Sequence, residues 1–270
     1  MSYKTITVSP LTPHIGAEIG GIDLTQALSD RQVQELHDAL TEYLVIFFRD
    51  QPIDFEAHKT LGRHFGELHI HSGVAGLKEH PEIVAIHTDA ESTFFAGDRW
   101  HSDLSCDPVP PMGSILHLHT VPPVGGDTFF ANMYTAYGAL SDGMKTYLEG
   151  LTATHDGARV FAAITDDPNK RFPRSVHPVV HRHPVTKRKA LFVNEQYTEK
   201  INELPAEEGK AVLDFLVKHC TRPEFTARFR WTPHTIAFWD NRAAQHLAIW
   251  DYFPQTRSGY RVSIVGDKPC

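Results

Sequence analysis

Two imidazoles and one carboxylate can be drawn from His101-Ser102-Asp103 in the middle of the chain and from His246 far downstream. Two His and one carboxylate grip a metal from one side and leave the opposite positions open for a co-substrate and dioxygen, as in non-haem Fe(II) oxygenases. On an extended strand, residues two apart project to the same face, so His101 and Asp103 can reach one ion together. Spacing alone does not single them out. His69 and His71, His117 and His119, and His181 and His183 share it, in a chain with 18 histidines. Most such pairs are solvated or hydrogen-bonded rather than metal-bound. His117 and His119 alternate with Leu116 and Leu118, which reads equally well as the polar face of a strand. The His101-x-Asp103 pair stands apart through its carboxylate, the Trp100 before it and the motifs that follow it.

The composition sets the frame for this site. At 270 residues, with 41% hydrophobic and 22% charged side chains, the chain can bury a full core, and one domain over 1–270 is expected. A net charge of −7 argues against a broad nucleic-acid surface, whereas a small anionic ligand needs only local cations. No apolar run approaches the roughly 20 residues that span a bilayer, and the first residues lack the apolar core of a signal peptide. A cytoplasmic location, with no membrane partner, is the expectation. Cys106, Cys220 and Cys270 have no zinc-ribbon spacing and cannot all pair with one another, which fits a reducing compartment.

The elements that must position the site follow from periodicity. Short strands are expected near Thr5 to Val8 and Ala17 to Ile22. A helix capped at Ser29 should put Val33, Leu36, Leu40 and Tyr43 on one face, and Val45 to Phe48 reads as a buried strand. Asp54 opens a second helix, with Phe55, His58, Leu61 and Phe65 at helical spacing. Ile83 to Ile86, Gly113 to Thr120 and Asp127 to Ala131 read as strands, followed by helices over Tyr134 to Leu140 and Asp142 to Glu149, with Gly150 as a stop. Beyond them come a strand at Ala190 to Val193, a helix at Ala206 to His219, and the strictly alternating Phe225 to Trp231. Thr235 to Trp239 and Gly259 to Val265 end the series. Strands that do not alternate regularly with helices point away from a doubly wound parallel sheet and toward a mainly β fold with flanking helices around a jelly roll.

At the level of motifs the sequence resembles the TauD/TfdA family of Fe(II)/2-oxoglutarate-dependent dioxygenases. The resemblance is carried by Trp100-His101-Ser102-Asp103, by Pro122-Pro123-Val124-Gly125-Gly126-Asp127-Thr128, by Trp239-Asp240-Asn241-Arg242 with Gln245-His246, and by Asp251-Tyr252 through Arg257 and Arg261. It runs from Gly16-Ala17-Glu18-Ile19 to Gly266-Asp267-Lys268-Pro269. It implies a double-stranded β-helix (jelly-roll) core, Fe(II) held by His101, Asp103 and His246, 2-oxoglutarate held by Arg257 and Thr128, and O2 as oxidant. It also implies a homo-oligomer, dimer or tetramer. The family's substrate arginine matches Arg261, and His71, Leu104, Phe161 and Phe192 are the further residues expected to line the substrate cavity.

The chemistry of the side chains supports these roles. Arg pairs with a carboxylate in a bidentate fork, and Arg257 and Arg261, four apart at one strand parity, can face one cavity. A surface ion pair is the plain alternative for Arg257, and pairing with an acidic neighbour is that for Arg261. Gly125 and Gly126 read as a tight turn, and Trp239 as a core aromatic. A small organic anion (sulfonate, alkyl sulfate or aryloxyalkanoate) is the expected substrate. Small or apolar residues in Ser72-Gly73-Val74 and Ala96-Gly97-Asp98 point away from an ammonium-bearing molecule such as taurine. A lid-like insertion is expected at about 156–176. Two rival classes use the same residues: a zinc-dependent hydrolase, although no His-Glu-x-x-His is present, and a non-catalytic small-anion-binding protein.

Overall fold

Strands covered on both faces are apolar at every position, and Val45–Phe48 is such a strand. Val45 and Phe47 join one hydrophobic cluster, while Ile46 and Phe48 join another on the opposite side of the sheet. The computed structural model describes residues 3–95, 97–165, 167 and 169–270. Ala96 of the Ala96-Gly97-Asp98 loop, and Asp166 and Pro168 of the expected lid, lie outside the described residues.

In chain order the first half contains β1 (Thr7–Pro10), β2 (Ala17–Gly20), α1 (Asp30–Tyr43), β3 (Val45–Phe48), α2 (Phe55–Arg63), β4 (Leu68–His69), β5 (Ile83–Thr88), β6 (Gly113–Thr120) and β7 (Thr128–Asn132). Then follow α3 (Met133–Gly138), α4 (Asp142–Leu148), β8 (Thr152–Asp156), α5 (Ala158–Phe161), β9 (Arg174–Pro178), β10 (Val180–Arg182), β11 (Lys189–Leu191) and β12 (Thr198–Ile201). The chain ends with α6 (Ala206–Cys220), β13 (Thr226–Phe229), β14 (Thr235–Asp240), β15 (Ala244–Ala248) and β16 (Arg257–Ile264).

The eight-stranded sheet runs β1-β2-β3-β14-β6-β16-β4, with β5 also paired to β16, and β13-β7-β15 forms a smaller antiparallel sheet. Alternation along the strands decides what lies between them. Leu116, Leu118, Ala237 and Trp239 of the large sheet share a cluster with Phe130, Ala227, Phe229 and Ala244 of the small one. On the other face Ile115, Ile236, Phe238 and Ile264 pack with Leu36, Ala39 and Leu40 of α1 and Leu61 of α2. The result is a jelly roll flanked by helices.

Local signals fix the helices. Ser29 caps α1 in a reciprocal capping box with Gln32, and Asp54 caps α2 by accepting from Ala57 N at 2.8 Å. The alternating segment is shorter than its pattern: Pro223–Phe225 forms a 3-10 turn and only Thr226–Phe229 is strand, yet Phe225, Ala227, Phe229 and Trp231 are all buried. The expected strand at Ala190 to Val193 is Lys189–Leu191, paired with β10. The stretch expected as a lid begins at the end of β8 and reaches into β9, and these two strands pair with each other. No described helix is long and apolar enough to cross a membrane.

Candidate active site

The two halves of the candidate metal set come together through the backbone. His101 N donates to His246 O at 3.0 Å and His246 N to His101 O at 2.8 Å, an isolated antiparallel bridge that binds the His101 segment to β15. Ser102 Oγ adds a bond to Ala244 O at 2.9 Å. His101, Asp103 and His246 are all buried, and each offers a ligand atom within 4.8 Å of the others. His101 Nε2 lies 3.7 Å and His246 Nε2 3.9 Å from Asp103 Oδ1, too long for hydrogen bonds.

The protonation pattern suits a metal. His101 Nδ1 lies 2.8 Å from Arg99 O, and because a carbonyl only accepts, Nδ1 carries a proton and in the neutral ring Nε2 presents its lone pair. Burial, then His101, holds the His246 imidazole well below its ordinary pKa and keeps it neutral. Burial alone would raise the Asp103 carboxyl, but the Arg261 guanidinium bonded to it holds it well below the usual range. Two neutral imidazoles and a carboxylate are the deprotonated forms that metals bind.

Asp103 is oriented by partners beyond the triad. Ser114 Oγ donates to Asp103 Oδ2 at 2.7 Å, and Asn241 Nδ2 donates to Ser114 Oγ at 3.2 Å. Asn241 Oδ1 accepts from Asp103 N at 3.1 Å and from Trp239 Nε1 at 3.0 Å. Trp239 is thus a core aromatic whose N–H also serves the site. Ser114 and Asn241 escaped the sequence reading. Asn241 had a signal, since it lies inside the Trp239–Arg242 motif, whereas Ser114 is an ordinary strand serine until the sheet brings it beside Asp103.

Arg257 and Arg261 face the same side of β16, and Arg261 sits opposite Leu116 of β6. Arg257 is 2% exposed, donates from Nε to Gly126 O at 3.2 Å, and places Nη2 3.5 Å from Thr128 Oγ1. The nearby Asp127 is engaged by Arg228 at 2.6 Å, and burial pushes the Arg257 guanidinium down to about 10. A buried cation with no bonded carboxylate among the described residues favours an anionic ligand. The surface-pair reading of Arg257 does not hold. Arg261, by contrast, has an acidic partner: Nη1 donates to Asp103 Oδ1 at 2.7 Å.

A cavity of about 280 Å³ joins these groups and is lined by the triad, Thr128, Arg257, Arg261, His71 and Phe161. His71 Nδ1 accepts from Gly73 N at 3.0 Å and Val74 N at 2.9 Å, so in the neutral ring Nε2 carries the proton. Burial, reinforced by Arg261, depresses the His71 pKa to about 3. Two expected wall residues are corrected. Leu104 and Phe192 do not line this cavity: Leu104 packs with Cys106 and Tyr197, and Phe192 lies among His155, His177 and His181. Tyr197, Val160, Val84 and Phe95 line it and were not foreseen.

The other His-x-His pairs have structural partners. His117 Nε2 lies 3.4 Å from His234 Nδ1, and His119 bonds Thr120 at 2.9 Å. His181 donates to Arg242 O at 2.6 Å, and His183 to the buried Asp240, which Arg242 also grips. His69 faces Asp107 at 3.4 Å.

Comparison with known proteins agrees with this geometry. Residues 7–263 match the family model described as taurine catabolism dioxygenase TauD, TfdA family. The chain is 33% identical to an alpha-ketoglutarate-dependent sulfonate dioxygenase of Saccharomyces cerevisiae, over 98% of this chain and 68% of that protein. It is 31% identical to an alpha-ketoglutarate-dependent sulfate ester dioxygenase of Pseudomonas putida, over 98% and 91%. The crystal structure of a taurine dioxygenase from Burkholderia xenovorans superposes with a TM-score of 0.87 at 37% identity, covering 98% of this chain and 91% of that one. With a family model spanning nearly the whole chain and a triad, two arginines and a cavity in register, the chain belongs to the TauD/TfdA family of Fe(II)/2-oxoglutarate-dependent dioxygenases.

Proposed function

We propose that His101, Asp103 and His246 hold the iron, that Thr128 and Arg257 receive the distal carboxylate of 2-oxoglutarate, and that Arg261 and His71 receive the anionic head of a small organic substrate. The observation that carries this reading is the convergence of three ligand-type atoms within 4.8 Å in a cavity that also contains two arginines. When bound, iron with 2-oxoglutarate and O2 supplies the oxidant for one C–H bond, with succinate and CO2 as co-products.

The chain's own groups do the placing. Arg257 offers a charge-assisted fork to a carboxylate, and Arg261, two strand repeats away, offers a second cation nearer the triad. Two fixed anion sites set the relative position of co-substrate and substrate, which is where orientation lowers the barrier. The fixed Nε2–H of His71 adds a neutral donor. Val84, Phe95, Val160 and Phe161 give the cavity an apolar wall suited to an alkyl or aryl group. That wall supports a sulfonate, an alkyl sulfate or an aryloxyalkanoate over a compact ammonium-bearing anion. Hydroxylation beside the heteroatom lets the product collapse and release its leaving group. Val160 and Phe161 belong to the segment joining β8 and β9, which acts in this reading as a lid within a single dioxygenase domain. A cytoplasmic dimer or tetramer completes the proposal; size-exclusion chromatography tests the latter.

The test is anaerobic addition of Fe(II) and 2-oxoglutarate, expected to produce a visible charge-transfer band, followed by a screen of succinate release. Sulfonates, alkyl sulfates, aryloxyacids and phosphonates form the panel. A colourless protein that takes up zinc and ignores 2-oxoglutarate would sink the reading and favour the hydrolase.

A further inference from the structure

The loop that carries His71 leaves the sheet at His69, whose backbone pairs with Ser263 of β16. Beyond the sheet, a buried carboxylate holds it to the turn that follows Asp103. Asp107 is 5% exposed and lies one turn beyond Asp103, its N–H closing on Leu104 O at 2.8 Å. Asp107 Oδ1 accepts from Ser72 Oγ at 2.8 Å, and Oδ2 faces His69 Nε2 at 3.4 Å. The Asp107 carbonyl accepts from His177 Nε2 of β9 at 3.0 Å. The loop is held from its other side by Phe161, since a Cβ on Gly73 would lie 2.6 Å from that ring. Ser72 and Gly73, the residues so clamped, immediately follow His71, and Gly73 N is one of the two donors that fix its ring.

We infer that Asp107 is a positioning residue for substrate recognition. It ties the His71 loop to the turn that carries Asp103, so that the His71 Nε2–H keeps a constant place relative to the triad and to Arg261. Asp107 touches no substrate; it acts through Ser72 and His69. A carboxylate suits the task because one oxygen accepts from the Ser72 hydroxyl while the other faces the His69 ring, and a buried hydrogen bond to a charged acceptor is stronger than one between neutral groups. The inference rests on the proposal that His71 meets the substrate anion.

The test compares Asp107→Asn, Ser72→Ala and His71→Ala in the iron-loaded enzyme, using the best substrate of the panel. Asp107→Asn and Ser72→Ala should each raise the KM for that substrate about tenfold, the equivalent of one lost hydrogen bond, with kcat and the 2-oxoglutarate KM within about twofold of wild type. In the metal-free protein labelled with 15N-histidine, the His71 signals should change from a single Nε2-protonated tautomer to an averaged pair in both variants. Ser72→Ala removes one hydroxyl and decides the matter if Asp107→Asn fails to fold. Wild-type KM and wild-type His71 signals in Ser72→Ala, alongside a raised KM in His71→Ala, would overturn the inference and leave the functional proposal standing. An unchanged KM in His71→Ala would instead remove His71 from the substrate site, and the inference with it.

Discussion

Asp103 has work for both of its oxygens: Oδ1 faces the two imidazoles and Arg261, while Oδ2 is held by Ser114. A carboxylate free to rotate would lose part of its affinity for a metal, and partners of this kind are commonly worth about 10–100-fold in binding. Ser114→Ala should therefore weaken Fe(II) binding to the apoenzyme by about that factor, measured by titration, without shifting the prime-substrate KM. Removing a proposed ligand is more drastic: His101→Ala should abolish substrate-coupled succinate release. His117→Ala should retain it, because His117 faces His234 rather than the triad. The reverse pattern would mean that the wrong pair had been assigned to the metal. Arg257→Lys keeps the charge but loses the planar fork, so the 2-oxoglutarate KM should rise while iron affinity stays put.

The elements bring these residues together with different degrees of tolerance. The turn before β7 is among the least tolerant: Gly125 and Gly126 have φ of 83° and 72°, and a Cβ on Gly126 would lie 3.2 Å from Tyr252 and 3.3 Å from the Arg257 side chain. Gly126→Ala should cost about 1–2 kcal/mol for the left-handed backbone alone. It should also push Arg257 away from Thr128 and raise the 2-oxoglutarate KM, whereas Gly143→Ala, where nothing lies within 4 Å, should do neither. This turn was legible in the sequence because paired glycines beside prolines have few other uses. So were the capped helices, β3 and the two arginines, whose shared parity on β16 follows from their spacing. Strands such as Thr152–Asp156 and Thr198–Ile201 were not, since they are short and polar and gain identity only by pairing, with each other and, for the first, with β9. Leu104 and Phe192 defeat the reading for a related reason. Leu104 has φ of 48°, which takes its side chain out of the strand-like alternation of its neighbours, and Phe192 lies just beyond a three-residue strand whose facing could not be read locally.

Across the whole molecule the histidines set a common limit. His58, His155 and His181 are 1%, 0% and 2% exposed, and burial lowers their pKa values to about 3, 3 and 4. Burial keeps each neutral, outweighing the bonds of His58 Nε2 to Ile115 O and His181 Nε2 to Arg242 O, which favour the charged ring; His155 Nδ1 bonds Ser105 Oγ. In the unfolded chain an imidazole titrates near about 6.5, so below that pH the unfolded state binds protons that the folded state refuses. The stability these groups contribute is complete above about pH 6.5 and is lost progressively as pH falls from there toward the folded values. Between about pH 7.5 and 5.5 each should cost about 1.4 kcal/mol, or about 4 kcal/mol for the three, against a typical total of about 5–15. The buried carboxylates act in a lower window. The Asp240 carboxyl, desolvated but held down by Arg242 and His183, stays ionised well below about pH 4, and its contribution disappears only as pH falls from the unfolded carboxylate value toward the folded one. Acid unfolding of the metal-free protein should thus begin near about pH 6, before carboxylates are protonated. Urea titrations at about pH 7.5 and 5.5 measure this directly, and a difference in unfolding free energy below about 1 kcal/mol would show that the imidazoles gain protons in the folded state almost as readily as in the unfolded one.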